Sequence, residues 1–162
     1  MTGVQTCALP ISEWPITEPD TFYTFASGIL GWNLPAVVGI ALAERDSGRN
    51  RPVIAIIGDG SIQYSVQSLW TAAPLRLPIL IVVPSNDEYC ILKSFAVLED
   101  TPGVPGLDIP GLDIVSIARG YGCDAARLDN LEEIKKAAVA AWTKSKPTVL
   151  EIPISRQVPP LI

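Results

Sequence analysis

Along the chain, short continuous runs of apolar and β-branched residues alternate with longer stretches whose apolar positions recur at helical spacing. Val53–Ile57 (VIAII), Ile79–Val83 (ILIVV) and Thr148–Ile152 (TVLEI) read as strands buried on both faces. The second is expected to stop at Pro84. Between them the pattern predicts helices: Asn33 to about Glu44, with Pro35 tolerated in the first turn, and a stretch after Gly58-Asp59-Gly60-Ser61 running to about Ala73. Further helices are predicted over Tyr89–Leu98, over Asp113–Gly120 (closed by Gly120 or Gly122), and from about Leu131 to Thr143. Asp129 is the expected cap of the last, with Glu132 and Glu133 well placed in its first turn. Cys123–Arg127 fits a short edge strand, and the Pro- and Gly-rich Thr101–Gly111 a structured loop. This β-α-β-α-β order predicts a three-layer α/β/α domain around a mostly parallel central sheet.

Composition narrows the function classes. The 162 residues suit one domain, carry a net charge of −5, and hold no long basic cluster, which argues against a nucleic-acid surface. The most apolar stretches, Leu34–Ala43 and Leu77–Pro84, fall short of the ~18–20 residues that span a bilayer. There is no histidine, so Ser-His-Asp triads, Cys-His dyads and His-built zinc sites cannot form within this chain. Cys7, Cys90 and Cys123 make no CxxC pair, which fits a reducing, cytoplasmic setting. Cys90 has no base beside it in sequence and reads as a small packed residue. Met1–Ile11 resembles the translated end of a sequencing adapter. Residues 1–12 are therefore expected to lie outside the natural domain, assigned to 13–162 and expected to be a piece of a larger enzyme.

In a parallel α/β sheet, ligands bind beyond the carboxyl ends of the strands. Two loops fall there: Gly58–Ser61 after the first strand and Ser85–Glu88 after the second. The glycines permit a sharp turn and a close approach, and a helix opening at Ser61 favours a phosphate. Asp59 places a negative charge at the same point, which is repulsive unless a cation intervenes. The pair therefore implies a divalent ion, Mg²⁺ by preference, bridging carboxylate and diphosphate. Asn86, 27 residues after Asp59, adds a neutral amide oxygen. By itself GDGS could equally be a tight turn.

Gly58-Asp59-Gly60 followed at that spacing by Asn86 resembles the cofactor motif of thiamine diphosphate enzymes. The stretches SGILGWNLPAVVGIALA, IAIIGDGSIQYSVQSLWTAA and VPGLDIPGLDIVSIARGYG, covering with their neighbours about residues 22–155, are similar to the benzoylformate decarboxylase-like branch of that family. The resemblance implies thiamine diphosphate and Mg²⁺ as cofactors, and a small 2-oxo acid as the substrate of the whole enzyme. It implies Asp59, Asn86 and the main-chain carbonyl of Glu88 as metal ligands. Gly58, Gly60, Ser61 and Tyr89 would cradle the diphosphate. Leu30 would sit under the cofactor and Gly28 would accept from its amino group, while Ile91, Leu92 and Phe95 would line the substrate pocket. For Leu92 and Phe95, plain core packing explains the spacing equally well.

Departures matter too. Ser85-Asn86 stands where the family carries Asn-Asn, Asp87-Glu88 adds two carboxylates, and Ile91 is bulkier than its counterpart. The catalytic glutamate and histidines of the family lie on other regions, so no catalytic residue is assigned here and the chain by itself is expected to be inactive. The resemblance also implies dimers or tetramers. Alternatives are a carboligase or acetolactate synthase-like domain, or a stand-alone inactive cofactor-binding or association module.

Overall fold

The structure, a computed structural model, describes residues 15–24, 29–101 and 103–156. The expectations for residues 1–12 and for Gly28 lie outside the described residues. Four strands form one sheet: β1 (Val53–Ile56), β2 (Ile79–Ser85), β3 (Asp124–Arg127) and β4 (Thr148–Pro153), in the order β1-β2-β4-β3 and all parallel. The expected three-layer α/β/α class is the one observed.

Alternation along β2 sets the layers. Ile79, Ile81 and Val83 point with Ala55, Ile57 and Val149 into the larger core. That core is closed by Leu34, Val37, Val38 and Ala41 of α1 (Asn33–Asp46) and by Ile114 and Ala118 of α5 (Ile114–Gly120). On the opposite face Leu80 and Leu150 meet Ala137, Ala138 and Ala141 of α6 (Leu131–Trp142). Small alanines let this helix approach the sheet closely.

Three expectations are corrected. Pro84 does not end β2, which continues to Ser85, with Pro84 in register with Ile152. Val82 accepts from Ile57 on the β1 side, so Pro84, two residues on, also faces that side, where β1 has already ended at Ile56. The missing N–H therefore breaks no ladder bond. The helical stretch after β1 is not continuous: α2 (Asp59–Ile62), a 3-10 turn (Gln63–Ser65) and α3 (Ser68–Ala72) replace it. The cap of α6 is Asn130, not Asp129; its Oδ1 accepts from the amides of Glu132 and Glu133 at 2.9 and 3.2 Å.

Buried Glu44 at the end of α1 takes hydrogen bonds from both Arg49 and Arg51, and Arg51 also donates to the carbonyl of Asp20 at 3.1 Å. The outer edge of β1 has no strand beside it among the described residues. It lines a cavity of about 420 Å³ with Tyr23, Trp32 and Trp142. No helix among the described residues is long and apolar enough to cross a membrane.

Candidate cofactor site

The parallel sheet brings the loops after β1 and β2 side by side. Asp59 lies at their junction, 5% exposed. Gly58, with extended backbone, caps α2, so Asp59 and not Ser61 is its first residue. Asp59 Oδ1 accepts from the Gly60 amide at 2.8 Å. Its Oδ2 accepts from the amides of Asn86 at 3.0 Å and Asp87 at 2.8 Å, and from the Ser85 hydroxyl at 3.4 Å. Two consecutive amides converge on one oxygen, and Asp87 then turns the chain with φ of 57°, a left-handed conformation that Asp tolerates better than most residues. Asp59 thus pins the second loop to the first, and Asn86, also buried, is held beside it by its backbone amide. The Asn86 side-chain oxygen accepts from the Glu88 amide at 3.3 Å.

Neither glycine of the turn uses a positive φ. Gly60 is required for another reason: a Cβ there would lie 2.4 Å from Tyr89 Cε1 and 3.0 Å from Ile109 Cδ1. Nothing approaches the corresponding position at Gly58. Burial, then the neighbouring Tyr64 and the charge of Asp59, push the Tyr89 phenol above its usual range, so it stays neutral.

The two additional carboxylates are both paired. Asp87 takes an ion pair from Arg156, which follows β4. Glu88, 7% exposed, is paired through Oε2 with Lys93 on the first turn of α4 (Cys90–Leu98), while its Oε1 is buried without a partner. Lys93 also reaches Asp108 at 2.7 Å. Loop 101–111 is attached here by backbone as well: the Tyr89 amide donates to Leu107 and the Ile109 amide to Asp87, each at 2.8 Å. Pairings with Arg156 and Asp108 are distant in sequence, and no local pattern signals them.

Of the remaining candidates, Ser61 is half-buried on α2 and Leu30 half-buried ahead of α1. Ile91 is buried at 5% exposure, Leu92 is exposed, and Phe95, three residues along the helix, is half-buried. Desolvation and Glu88 raise the Cys90 thiol, and burial pushes Cys123 up to about 11, so neither is a thiolate near neutrality. Among the described residues no three His, Cys, Asp or Glu side chains cluster as a metal site. The junction instead offers one buried carboxylate, Asp59, and one buried side-chain amide, Asn86, oxygen donors of the kind Mg²⁺ takes together with phosphate oxygens.

The family model described as the thiamine pyrophosphate enzyme, C-terminal TPP binding domain, matches residues 5–152, and the chain belongs to that family. It is 42% identical over 136 residues to benzoylformate decarboxylase of Pseudomonas aeruginosa, covering 84% of this chain and 25% of that protein. It is 31% identical to a putative acetolactate synthase large subunit of Mycobacterium tuberculosis, over 91% of this chain and 28% of that protein. The crystal structure of benzoylformate decarboxylase from Polynucleobacter necessarius superposes with a TM-score of 0.87 at 52% identity, covering 90% of this chain and 28% of that one. The chain therefore spans about a quarter of the length of the relatives it matches.

Proposed function

We propose that this chain is the C-terminal cofactor domain of a 2-oxo-acid decarboxylase of the benzoylformate decarboxylase kind, holding thiamine diphosphate through Mg²⁺. The observation that carries the reading is the buried junction at which the Asp59 carboxylate accepts from the backbone amides of Asn86 and Asp87, joining the loops at the ends of β1 and β2. Asp59, Asn86 and the Glu88 carbonyl hold the metal. Gly58, Gly60, Ser61 and Tyr89 cradle the diphosphate, with Gly60 leaving room for the Tyr89 ring. By the family resemblance, Leu30 would lie against the cofactor, Gly28 would accept from its amino group, and Ile91, Leu92 and Phe95 would shape the side facing the 2-oxo acid. When bound, the cofactor supplies the electron sink that decarboxylation needs. Proton transfer falls to glutamate and histidine side chains outside this chain, which has no histidine. The working enzyme is a homodimer or homotetramer in the cytoplasm, a location supported by Cys90 and Cys123 forming no disulfide.

A synthase or carboligase of the same cofactor class is the second reading, favoured by the 31% identity to the putative acetolactate synthase subunit. A chimera separates the two. Residues 15–156 replace the matching segment of the P. aeruginosa benzoylformate decarboxylase, and products from benzoylformate and from pyruvate are measured. Benzaldehyde and CO₂ from benzoylformate, lost with Asp59→Ala, support the decarboxylase. Acetolactate from pyruvate with no benzaldehyde supports the synthase, and a folded, cofactor-loaded chimera making neither product counts against both.

A further inference from the structure

Glu88 is a buried carboxylate with one oxygen lacking a hydrogen-bond partner; Lys93 is the cation in direct contact with it, the Cys90 thiol also hydrogen-bonds to its side chain, and Arg156 acts on it from farther away. A buried charge depends strongly on the cation in direct contact with it. Lys93 has a second partner, Asp108, whose side chain is 70% exposed and lies on the loop opposite Glu88, where the two residues form an antiparallel bridge. From that bridge the chain continues directly to Ile109, whose Cδ1 lies 3.0 Å from where a Cβ on Gly60 would be. Most of the loop before it, at Gly103–Gly106, is exposed and turns through glycines at positive φ. Two backbone hydrogen bonds and the Lys93 side chain thus hold the loop beside the GDG turn.

We propose that Lys93 is a positioning residue: by bridging Glu88 and Asp108 it fixes residues 107–109 against Gly60 as a wall of the diphosphate site. The functional half of this proposal rests on the cofactor reading above; the structural half does not. Lys93 touches neither cofactor nor metal in this assignment and acts through the wall it holds.

The test uses the chain as it stands. Amide hydrogen exchange is read at Tyr89 and Ile109, the two donors of the bridge, in the unaltered chain and in Lys93→Gln, Lys93→Arg and Asp108→Asn. Lys93→Gln is expected to accelerate both amides about tenfold or more, as befits a charge-assisted contact, with exchange in β2 unchanged. Lys93→Arg restores protection. Asp108→Asn, which leaves the Glu88 pair intact, accelerates Ile109 and guards against misreading a variant that merely folds poorly. Unchanged exchange at both amides in Lys93→Gln and Asp108→Asn overturns the proposal. The second readout is the midpoint for thiamine diphosphate in saturating Mg²⁺, followed by amide chemical shifts. It is expected to rise several-fold in Lys93→Gln and recover in Lys93→Arg. A loosened wall with an unchanged midpoint overturns the positioning role. Absence of any Mg²⁺-dependent shift in the unaltered chain defeats the cofactor reading and with it the functional half, while the exchange data still decide whether Lys93 fixes the wall.

Discussion

Asp59 does two things at once because its shortest hydrogen bonds come from backbone amides, with the Ser85 hydroxyl a longer fourth donor. Three amides orient the carboxylate and join two loops, yet a carboxylate has more acceptor positions than those amides fill. Asp59→Ala removes the acceptor of all three, so a loss of about 2 kcal/mol is expected in urea unfolding, the scale of hydrogen bonds to a charged group. Glu44 makes a separate, pH-dependent contribution. Hydrogen bonds from Arg51 and Arg49 hold its carboxyl down at about 2 from an ordinary 4.5. Its stabilisation is therefore complete above pH 4.5 and is lost as the pH falls toward 2. Glu44→Gln should lower the melting temperature at neutral pH and flatten its decline across that window; an unaltered pH profile contradicts the assignment. Of these residues, Asp59 and Asn86 were legible in the sequence as one acid and one amide following two strands. The pairing of Glu88 with Lys93 and of Asp87 with Arg156 was not, because the second depends on β4 returning beside β2.

At the level of elements, strands read more faithfully than helix ends. ILIVV and TVLEI declared themselves by continuous apolar character, which a strand covered on both faces requires. VIAII has the same character, but its strand is the edge beside the cavity and is only partly covered, with Ile56 exposed, which corrects the expectation of burial on both faces. Pro84 misled because its effect depends on which neighbour its edge faces, a property of the sheet. Asp129 and Asn130 are both good caps, and only the observed backbone decides between them. Asn130→Ala is expected to cost about 1 kcal/mol, whereas Asp129→Ala should be near neutral, a contrast that thermal unfolding of the two variants reads directly. Gly31 is a further element-level constraint ahead of α1. Its φ is 90° and a Cβ would meet Tyr64 Cβ at 2.7 Å. Gly31→Ala should destabilise by about 1–3 kcal/mol, and an unchanged unfolding midpoint would contradict the close approach of the two segments.

For the whole molecule, the parallel order β1-β2-β4-β3 accounts for the site: it aligns two loops at one end and carries Arg156 to the same place. The fold class was readable from the alternation of elements, and the cofactor class from the family resemblance carried by the GDG turn and Asn86. The loop geometry, in which Ile109 closes on Gly60, required the tertiary structure. With no histidine and a quarter of its relatives' length, the chain alone should not turn over benzoylformate; CO₂ release from the purified chain with cofactor and Mg²⁺ would contradict this. The most direct test of the central claim is a titration of ¹⁵N-labelled chain with thiamine diphosphate, with Mg²⁺ and again with a chelator, for the unaltered chain and for Asp59→Ala. The account predicts shifts at the amides of Gly58, Gly60, Ser61 and Asn86 only when Mg²⁺ is present, and none in a folded Asp59→Ala. Equal shifts in the chelator, or in Asp59→Ala, would contradict a metal bridge at this junction.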